Sequence, residues 1–138
     1  MVALESNLLR IGELSRQSQV PIKTIRYYEE LGLLQATGRT SGGFRLFMPN
    51  ALTRLAFIKR AQGLGLSLQE IHHILDVHDQ GQRPCHEVKQ TLQEKVQQVE
   101  DRMAQLALLR QELLALIDGA EGLAQTDAPI CPIIENTG

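Results

Sequence analysis

The sequence contains few aromatic residues: its 138 residues include no tryptophan, two tyrosines and three phenylalanines. This length suits one compact domain, or a small domain with a long helix. Aromatic side chains bury the largest areas in protein cores, so their scarcity argues against a large globular core. A run of eighteen apolar residues, which a membrane-spanning helix needs, is missing. The first fourteen residues also lack the basic-then-apolar order of a secretory signal. These absences predict a cytoplasmic protein.

Cysteine is also scarce. The two cysteines are Cys85, in the stretch "RPCHEV", and Cys131, in the stretch "APICPI". A cytoplasm keeps thiols reduced, so a structural disulfide between them is not expected. The sequence has no nucleophile–base pair and no phosphate-binding loop, so nothing in it favours a metabolic enzyme.

The net charge of −2 hides an uneven distribution. Residues 1–62 hold nine lysines and arginines against four acids, a net charge of +5, whereas residues 63–138 carry −7. A basic half attached to an acidic half suggests a polyanion-binding module on a carrier of opposite charge. Ordinary surface scatter would give the same totals, so charge alone leaves both interpretations open.

Two short helical patterns divide the stretch "LRIGELSRQSQVPIKTIRYYEELGLL". Ile11 and Leu14 share a face of the first. Pro21 suits the first turn of the second, where its missing N–H costs nothing, and Gly32 ends that helix. Two short helices joined by a tight turn predict a helix-turn-helix.

The stretch "GGFRLF" predicts a short strand after these helices. Phe44 and Leu46 alternate with Arg45 and Phe47, which places Arg45 on an exposed face. A small hairpin that follows a helix-turn-helix is called a wing, and we expect one here.

A second pair of helices is predicted after the wing. The first of them begins at Pro49 or Asn50, and Ser67 with Glu70 three residues later forms a capping box for the second, which Gly81 ends. The apolar side of the first helix consists of Leu52, Leu55 and Ile58, with Phe57 as a further candidate.

One long helix is predicted from residue 84 to residue 118, because no glycine and no further proline interrupt this stretch. Thirty-five helical residues would extend roughly 52 Å. The apolar residues fall three or four apart, which is the spacing of a coiled-coil seam: Val88, Leu92, Val96, Val99, Met103, Leu106, Leu109, Leu113 and Ile117. Packing on the preceding domain is the alternative, but that domain is too small to cover the seam, so we expect a homodimer.

These patterns predict a mainly α protein with three parts. Residues 1–80 form a winged helix-turn-helix domain with a second helical pair, residues 81–118 the dimerisation helix, and residues 119–138 a loop without periodicity.

The stretches "TIRYYEELGLL", "GGFRLF" and "LAFIKRAQGLGLSLQEI" resemble the mercury-resistance regulator (MerR) family of transcription factors. The resemblance covers about residues 9–118. It implies a homodimer with an antiparallel coiled coil of dimer helices, which sits between two promoter elements spaced too widely for RNA polymerase. With its effector bound, such a dimer bends and untwists the DNA until the elements align.

The resemblance also implies which residues contact DNA. An arginine can form bidentate bonds to phosphate, and a tyrosine hydroxyl can reach phosphate or sugar. Tyr28 is expected in the core instead, and Phe44 and Phe47, where the family often has tyrosine, keep a packing role without a hydroxyl. The residues that match contact positions are Arg16, Lys23, Arg26, Tyr27, Arg39 and Arg45, with Arg54 as a further candidate.

Both cysteines match ligand positions of the metal-responsive branch of this family. The antiparallel dimer implied by the resemblance brings Cys85 of one chain beside Cys131 of the other. A further cysteine usual in sensors of mercury, lead or zinc is missing from the stretch "DGAEGLAQTDAPI".

The identity of the effector stays open at this stage. Two thiolates suit a soft ion such as Hg(II) or Cu(I), whereas a third ligand from His86, Glu121 or Asp127 would permit Zn, Cd or Pb. A thiol-redox sensor with a disulfide between the chains, or a regulator with another effector or none, are the alternatives.

Overall fold

The computed structural model describes residues 7–136, which form three short strands and seven helices. The mainly α fold predicted from the sequence is confirmed. Packing divides the chain within its longest helix, and one unit ends at Leu92 while the next begins at Gln93. The elements are β1 (Leu9–Arg10), α1 (Ile11–Ser18), α2 (Ile22–Glu30), β2 (Gly38–Arg39), β3 (Arg45–Phe47), α3 (Asn50–Gly63), α4 (Leu68–Asp79), α5 (Cys85–Asp118), α6 (Ala120–Leu123) and α7 (Pro132–Glu135).

The predicted helix-turn-helix consists of α1 and α2, and a three-residue turn joins them. Gln19 ends α1 in the left-handed region with φ 61°. Pro21 is the N-cap of α2, one position before the predicted first turn, and Gly32 follows α2 with φ 78°. The turn brings Leu14 and Ile25 into one core, where both are fully buried.

A three-stranded antiparallel sheet in the order β1-β3-β2 includes the predicted wing hairpin. The strand β1 was not predicted, because two residues carry no period. Phe47 faces Leu9 across the sheet and is fully buried, so it keeps the expected packing role. The predicted alternation, which set Phe47 on the exposed face with Arg45, is wrong. The expected packing role of Phe44 is wrong for the core, because this side chain precedes β3 and is 62% exposed.

The core of the first unit lies between the helix-turn-helix, the sheet and the pair α3 and α4. The capping box is confirmed, since Ser67 Oγ accepts from the Glu70 N–H at 3.1 Å and Glu70 Oε1 accepts from the Ser67 N–H at 2.8 Å. Phe57 does not join the core, because the buried face of α3 runs through other positions and leaves Phe57 exposed. The largest fully buried side chains are Leu14, Ile25, Leu33, Phe47, Leu55, Ile58, Ile71 and Ile74.

The predicted long helix is present as α5 and contains 34 residues, one fewer than predicted, because it begins at Cys85. Val88 is half-buried against the core of the first unit, so the packing boundary falls at Leu92, twelve residues beyond the predicted domain boundary at residue 80. The rest of the seam is exposed in the single chain: Leu92, Val96, Val99, Met103, Leu106, Leu109, Leu113 and Ile117. Among the described residues, no helix is both long and apolar enough to cross a membrane.

The segment after α5 was predicted to be a loop, but it is not a loop throughout. It contains α6 and α7, each of four residues. Helices of one turn carry no measurable apolar period, so the sequence pattern could not reveal them.

Candidate nucleic-acid interface and cysteine sites

The helix α2 presents a polar face with two cations. Lys23, Arg26 and Tyr27 are exposed, and their spacing of three and four residues places them on one side of the helix. Ile25 and Tyr28 lie on the buried side. The exposed face therefore offers two cations and a hydroxyl, groups that bind phosphate and sugar.

Tyr28 belongs to the core, as predicted. Its side chain is 6% exposed, and its hydroxyl donates to Gln62 Oε1 on α3 at 2.8 Å. Burial raises the pKa of Tyr28, so this phenol is a neutral donor that joins α2 to α3.

The wing is connected to α2 by an ion pair. Arg45 Nε lies 3.2 Å from Glu29 Oε2, and Glu29 is largely buried, with no hydrogen-bond partner for its Oε1. Arg45 was predicted to lie on an exposed face. It is half-buried instead, because β3 turns its side chain toward α2. Only Nε makes this contact, so the outer guanidinium nitrogens can still donate to phosphate.

The remaining predicted contacts on α1 and the wing differ in their surroundings. Arg16 is exposed on α1. Arg39 is also exposed, and its Nη1 donates to the Gly43 carbonyl at 3.1 Å across the hairpin turn. The structure thus brings both arginines to the surface of the helix-turn-helix and wing.

Arg54 occupies a different environment from the other predicted contacts. Its Nε donates to the Leu33 carbonyl at 2.5 Å, and its two outer nitrogens bind both carboxylate oxygens of Asp79 at 2.7 and 2.8 Å. The hydrogen bonds from Arg54 lower the pKa of Asp79. This engagement favours a structural role for Arg54, joining α3 to α4, over the predicted DNA contact.

The two cysteines are free thiols at helix starts. Cys85 is the first residue of α5 and is exposed, whereas Cys131 is the N-cap of α7 and is partly buried. Cys85 belongs to the first unit and Cys131 to the second.

The backbone at Cys131 is held by a carboxylate that sequence reasoning missed. Glu135 accepts from the Ile130 N–H at 3.1 Å and from the Cys131 N–H at 2.8 Å. The available signal was a glutamate four residues after the helix N-cap, a variant of the capping box. Glu135 thereby fixes the backbone that carries the Cys131 thiol.

The part of the chain that the structure describes does not by itself assemble a metal site of three or more ligands. Among residues 7–136, no group of three or more histidine, cysteine and acidic side chains is close enough to hold an ion. His86, Glu121 and Asp127, the predicted third ligands, therefore do not complete a site with a cysteine in the single chain. The donor chemistry of two free thiols nevertheless fits a soft cation of low coordination number.

The arrangement of α1, α2 and the hairpin defines a winged helix-turn-helix DNA-binding protein. A family model described as MerR HTH family regulatory protein matches residues 9–77, and one described as MerR, DNA binding matches residues 52–116. The chain belongs to the MerR family of transcriptional regulators, and the predicted DNA-binding function is confirmed.

Similar proteins cover nearly the whole chain. The HTH-type transcriptional regulator ZntR of Escherichia coli (strain K12) is 40% identical over 93% of this chain and 91% of its own. The mercuric resistance operon regulatory protein of Bacillus cereus is 36% identical over 91% and 94%. The crystal structure of the regulator PbrR691 from Ralstonia metallidurans CH34 in complex with lead(II) matches with TM-score 0.78 and 32% identity, over 94% of this chain and 99% of that one.

Proposed function

We propose that this protein is a metal-responsive regulator that binds promoter DNA in the cytoplasm as a homodimer and switches transcription by distorting the DNA. The position of its only two cysteines carries the metal assignment, since Cys85 begins α5 and Cys131 is the N-cap of α7. The similarity to a regulator solved with lead(II), and to a mercuric resistance regulator, supports this assignment.

The homodimer is supported by the seam of α5. Eight apolar side chains of this seam are exposed in the single chain, and exposed apolar surface of this extent is unfavourable in water. A second copy of the helix presents the complementary seam. Pairing therefore buries the apolar residues that the first unit leaves uncovered.

The metal would be held between chains. In an antiparallel pair of α5 helices, the start of one helix lies beside the end of the other, so Cys85 of one chain would approach the segment that carries Cys131 of its partner. A soft cation bound there would link the two chains through sulfur. Glu135 restrains the Cys131 backbone before binding, so less chain entropy is lost when the thiolate is engaged.

Metal binding is then coupled to the DNA-binding units through α5, whose first turns pack by Val88 against the core of the first unit. A shift of one α5 against its partner would reposition the two winged units on the promoter. Many phosphate contacts together can supply the few kcal/mol, roughly, that such bending and untwisting costs. RNA polymerase then responds to the altered promoter.

The decisive experiment mixes two mutant chains, Cys85→Ser and Cys131→Ser, and purifies the heterodimer by two affinity tags. Both substitutions then fall in the same inter-chain site and leave the other site intact. We expect the heterodimer to bind one Hg(II) or Pb(II) ion, the parent dimer two and each mutant homodimer none. Thiolate-to-metal charge-transfer absorption reports the binding.

Other outcomes separate the competing hypotheses. A heterodimer that binds no ion would place both ligands in one chain. Homodimers with full affinity would exclude the cysteines as ligands. A parent that binds no metal, yet forms a disulfide-linked dimer on a non-reducing gel after mild oxidation, would establish the thiol-redox function instead.

A further inference from the structure

An arginine outside the predicted contact set lies beside the wing. The strand β1 pairs with β3 and sets Arg10 opposite Leu46. Arg10 is exposed, and its guanidinium carbon lies 5.8 Å from the centroid of the Phe44 ring. This distance is within the range of a cation–π contact, and it explains what the exposed ring of Phe44 does.

Arg10 shares one surface hollow with two of the predicted DNA contacts. The hollow has a volume of about 500 Å³, and Arg10, Arg16 and Arg45 line it. The apolar side chains of Ile22 and Phe44 form part of its wall. Three guanidinium groups around one hollow favour an anion over a cation there.

The charges of the hollow are only partly compensated. Glu13 contributes one carboxylate to the lining, and Arg45 is already paired with Glu29. Among the described residues, Arg10 has no carboxylate within ion-pair distance. The net charge of the hollow is therefore positive, with Arg10 as a cation available to a ligand.

We propose that Arg10 binds a phosphate of the DNA backbone and that Phe44 positions it for this contact. The ring face attracts the guanidinium without neutralising it, so the N–H edge of the guanidinium keeps its donors for phosphate oxygens. A phenylalanine serves this role as well as a tyrosine, because the ring and not a hydroxyl supplies the contact. The proposal rests on the DNA-binding function.

The first test measures how DNA affinity depends on salt for Arg10→Gln, Arg10→Lys and Arg102→Gln, using a duplex that the parent selects from a randomised pool. Each phosphate contact contributes about one unit to the salt slope, and the substitution removes one contact from each chain of the homodimer. The ratio of parent to Arg10→Gln affinity should therefore shrink roughly tenfold between 50 and 200 mM salt. Arg10→Lys should keep the parent slope. Arg102→Gln removes the same charge from α5 and should also keep it.

The second test asks whether Phe44 acts through Arg10. Phe44→Leu should weaken binding in the parent and have no further effect in the Arg10→Gln background, with unchanged thermal midpoints in all variants. An equal loss in both backgrounds would mean that Phe44 contacts DNA itself and would overturn its positioning role.

Arg26→Ala serves as a reference for the DNA interface. If Arg10→Gln keeps the salt slope of the parent while Arg26→Ala reduces it, the proposal for Arg10 is overturned and DNA binding by the protein stands. A parent that selects no duplex contradicts the function itself.

Discussion

Arg54 connects three segments of the first unit with one guanidinium. It reaches the Leu33 carbonyl after α2 and both oxygens of Asp79 at the end of α4. A bidentate pair of this kind has more specific geometry than a lysine contact could provide. The family resemblance suggested a DNA contact at this position, and only the coordinates of Asp79, 25 residues away, reveal the competing partner.

The pair of Arg54 and Asp79 predicts that its contribution to the stability of the protein depends on pH. Hydrogen bonding from Arg54 lowers the pKa of Asp79 below its ordinary 3.8, the charges of Arg54, His78 and His72 add to this, and partial burial opposes it. A lowered folded-state pKa contributes stability above the ordinary value and loses it as the pH falls through the lowered one. Because Asp79 is half exposed and solvent screens the pair, we expect Asp79→Asn to cost about 1 kcal/mol at pH 7.

Urea unfolding of parent and Asp79→Asn at pH 7, 5, 4 and 3 checks this expectation. The difference in unfolding free energy should persist at pH 7 and 5 and shrink toward pH 3. Asp101→Asn, an exposed substitution on α5, provides the control. A difference that grows toward acid would refute the assignment.

Residue-level chemistry also limits what the sequence could reveal about the cysteine loop. Cys131 could be singled out because cysteine is rare and its position resembles a known ligand position. Glu135 could not, because an acidic residue near a chain end has many uses. Its role depends on the extended backbone at Cys131, which turns two N–H groups toward one carboxylate.

At the scale of elements, local sequence signals predicted the longer helices and missed the shortest strand and helices. Proline before α2, glycine after it and the Ser67–Glu70 box mark helix ends through backbone chemistry, so these bounds were predicted within a residue or two. The elements β1, α6 and α7 contain two to four residues and carry no period. Phe57 was misplaced because hydrophobicity alone does not determine which side of α3 faces the core.

The ion pair between Arg45 and Glu29 joins the wing to α2. Arg45→Ala removes a predicted phosphate contact and also leaves the largely buried Glu29 without its cation. We therefore expect both weaker DNA binding and a loss of roughly 1–2 kcal/mol in unfolding free energy. Arg26→Ala, on the exposed face of α2, should weaken DNA binding alone.

A double variant separates the two effects of Arg45. Replacing Glu29 with glutamine in the Arg45→Ala background removes the unpaired charge, so stability should recover while DNA affinity stays low. Thermal melts and DNA titrations of the parent, Arg45→Ala, Glu29→Gln and the double variant give the comparison. If Arg45→Ala were as stable as the parent, the ion pair would contribute nothing to the stability of the fold.

At the scale of the whole molecule, α5 contributes most of its apolar residues to a seam that one chain leaves exposed. Val99→Lys would place a charge in the proposed dimer interface, which is costly without a partner. We expect a shift from dimer to monomer in sedimentation at micromolar concentration. Gln105→Lys adds the same charge beside the seam and should remain dimeric, and a folded parent monomer at this concentration would argue against the interface.

The exposed seam has a consequence for gene dosage. If only a pair of chains presents two winged units to a promoter, then below the dimer dissociation constant the occupancy of that promoter rises with the square of the chain concentration. Halving the synthesis of the regulator would then reduce the occupied fraction about fourfold at low occupancy. The apolar seam of α5 would thus set how steeply transcription follows the amount of the regulator in the cell, independently of any effector.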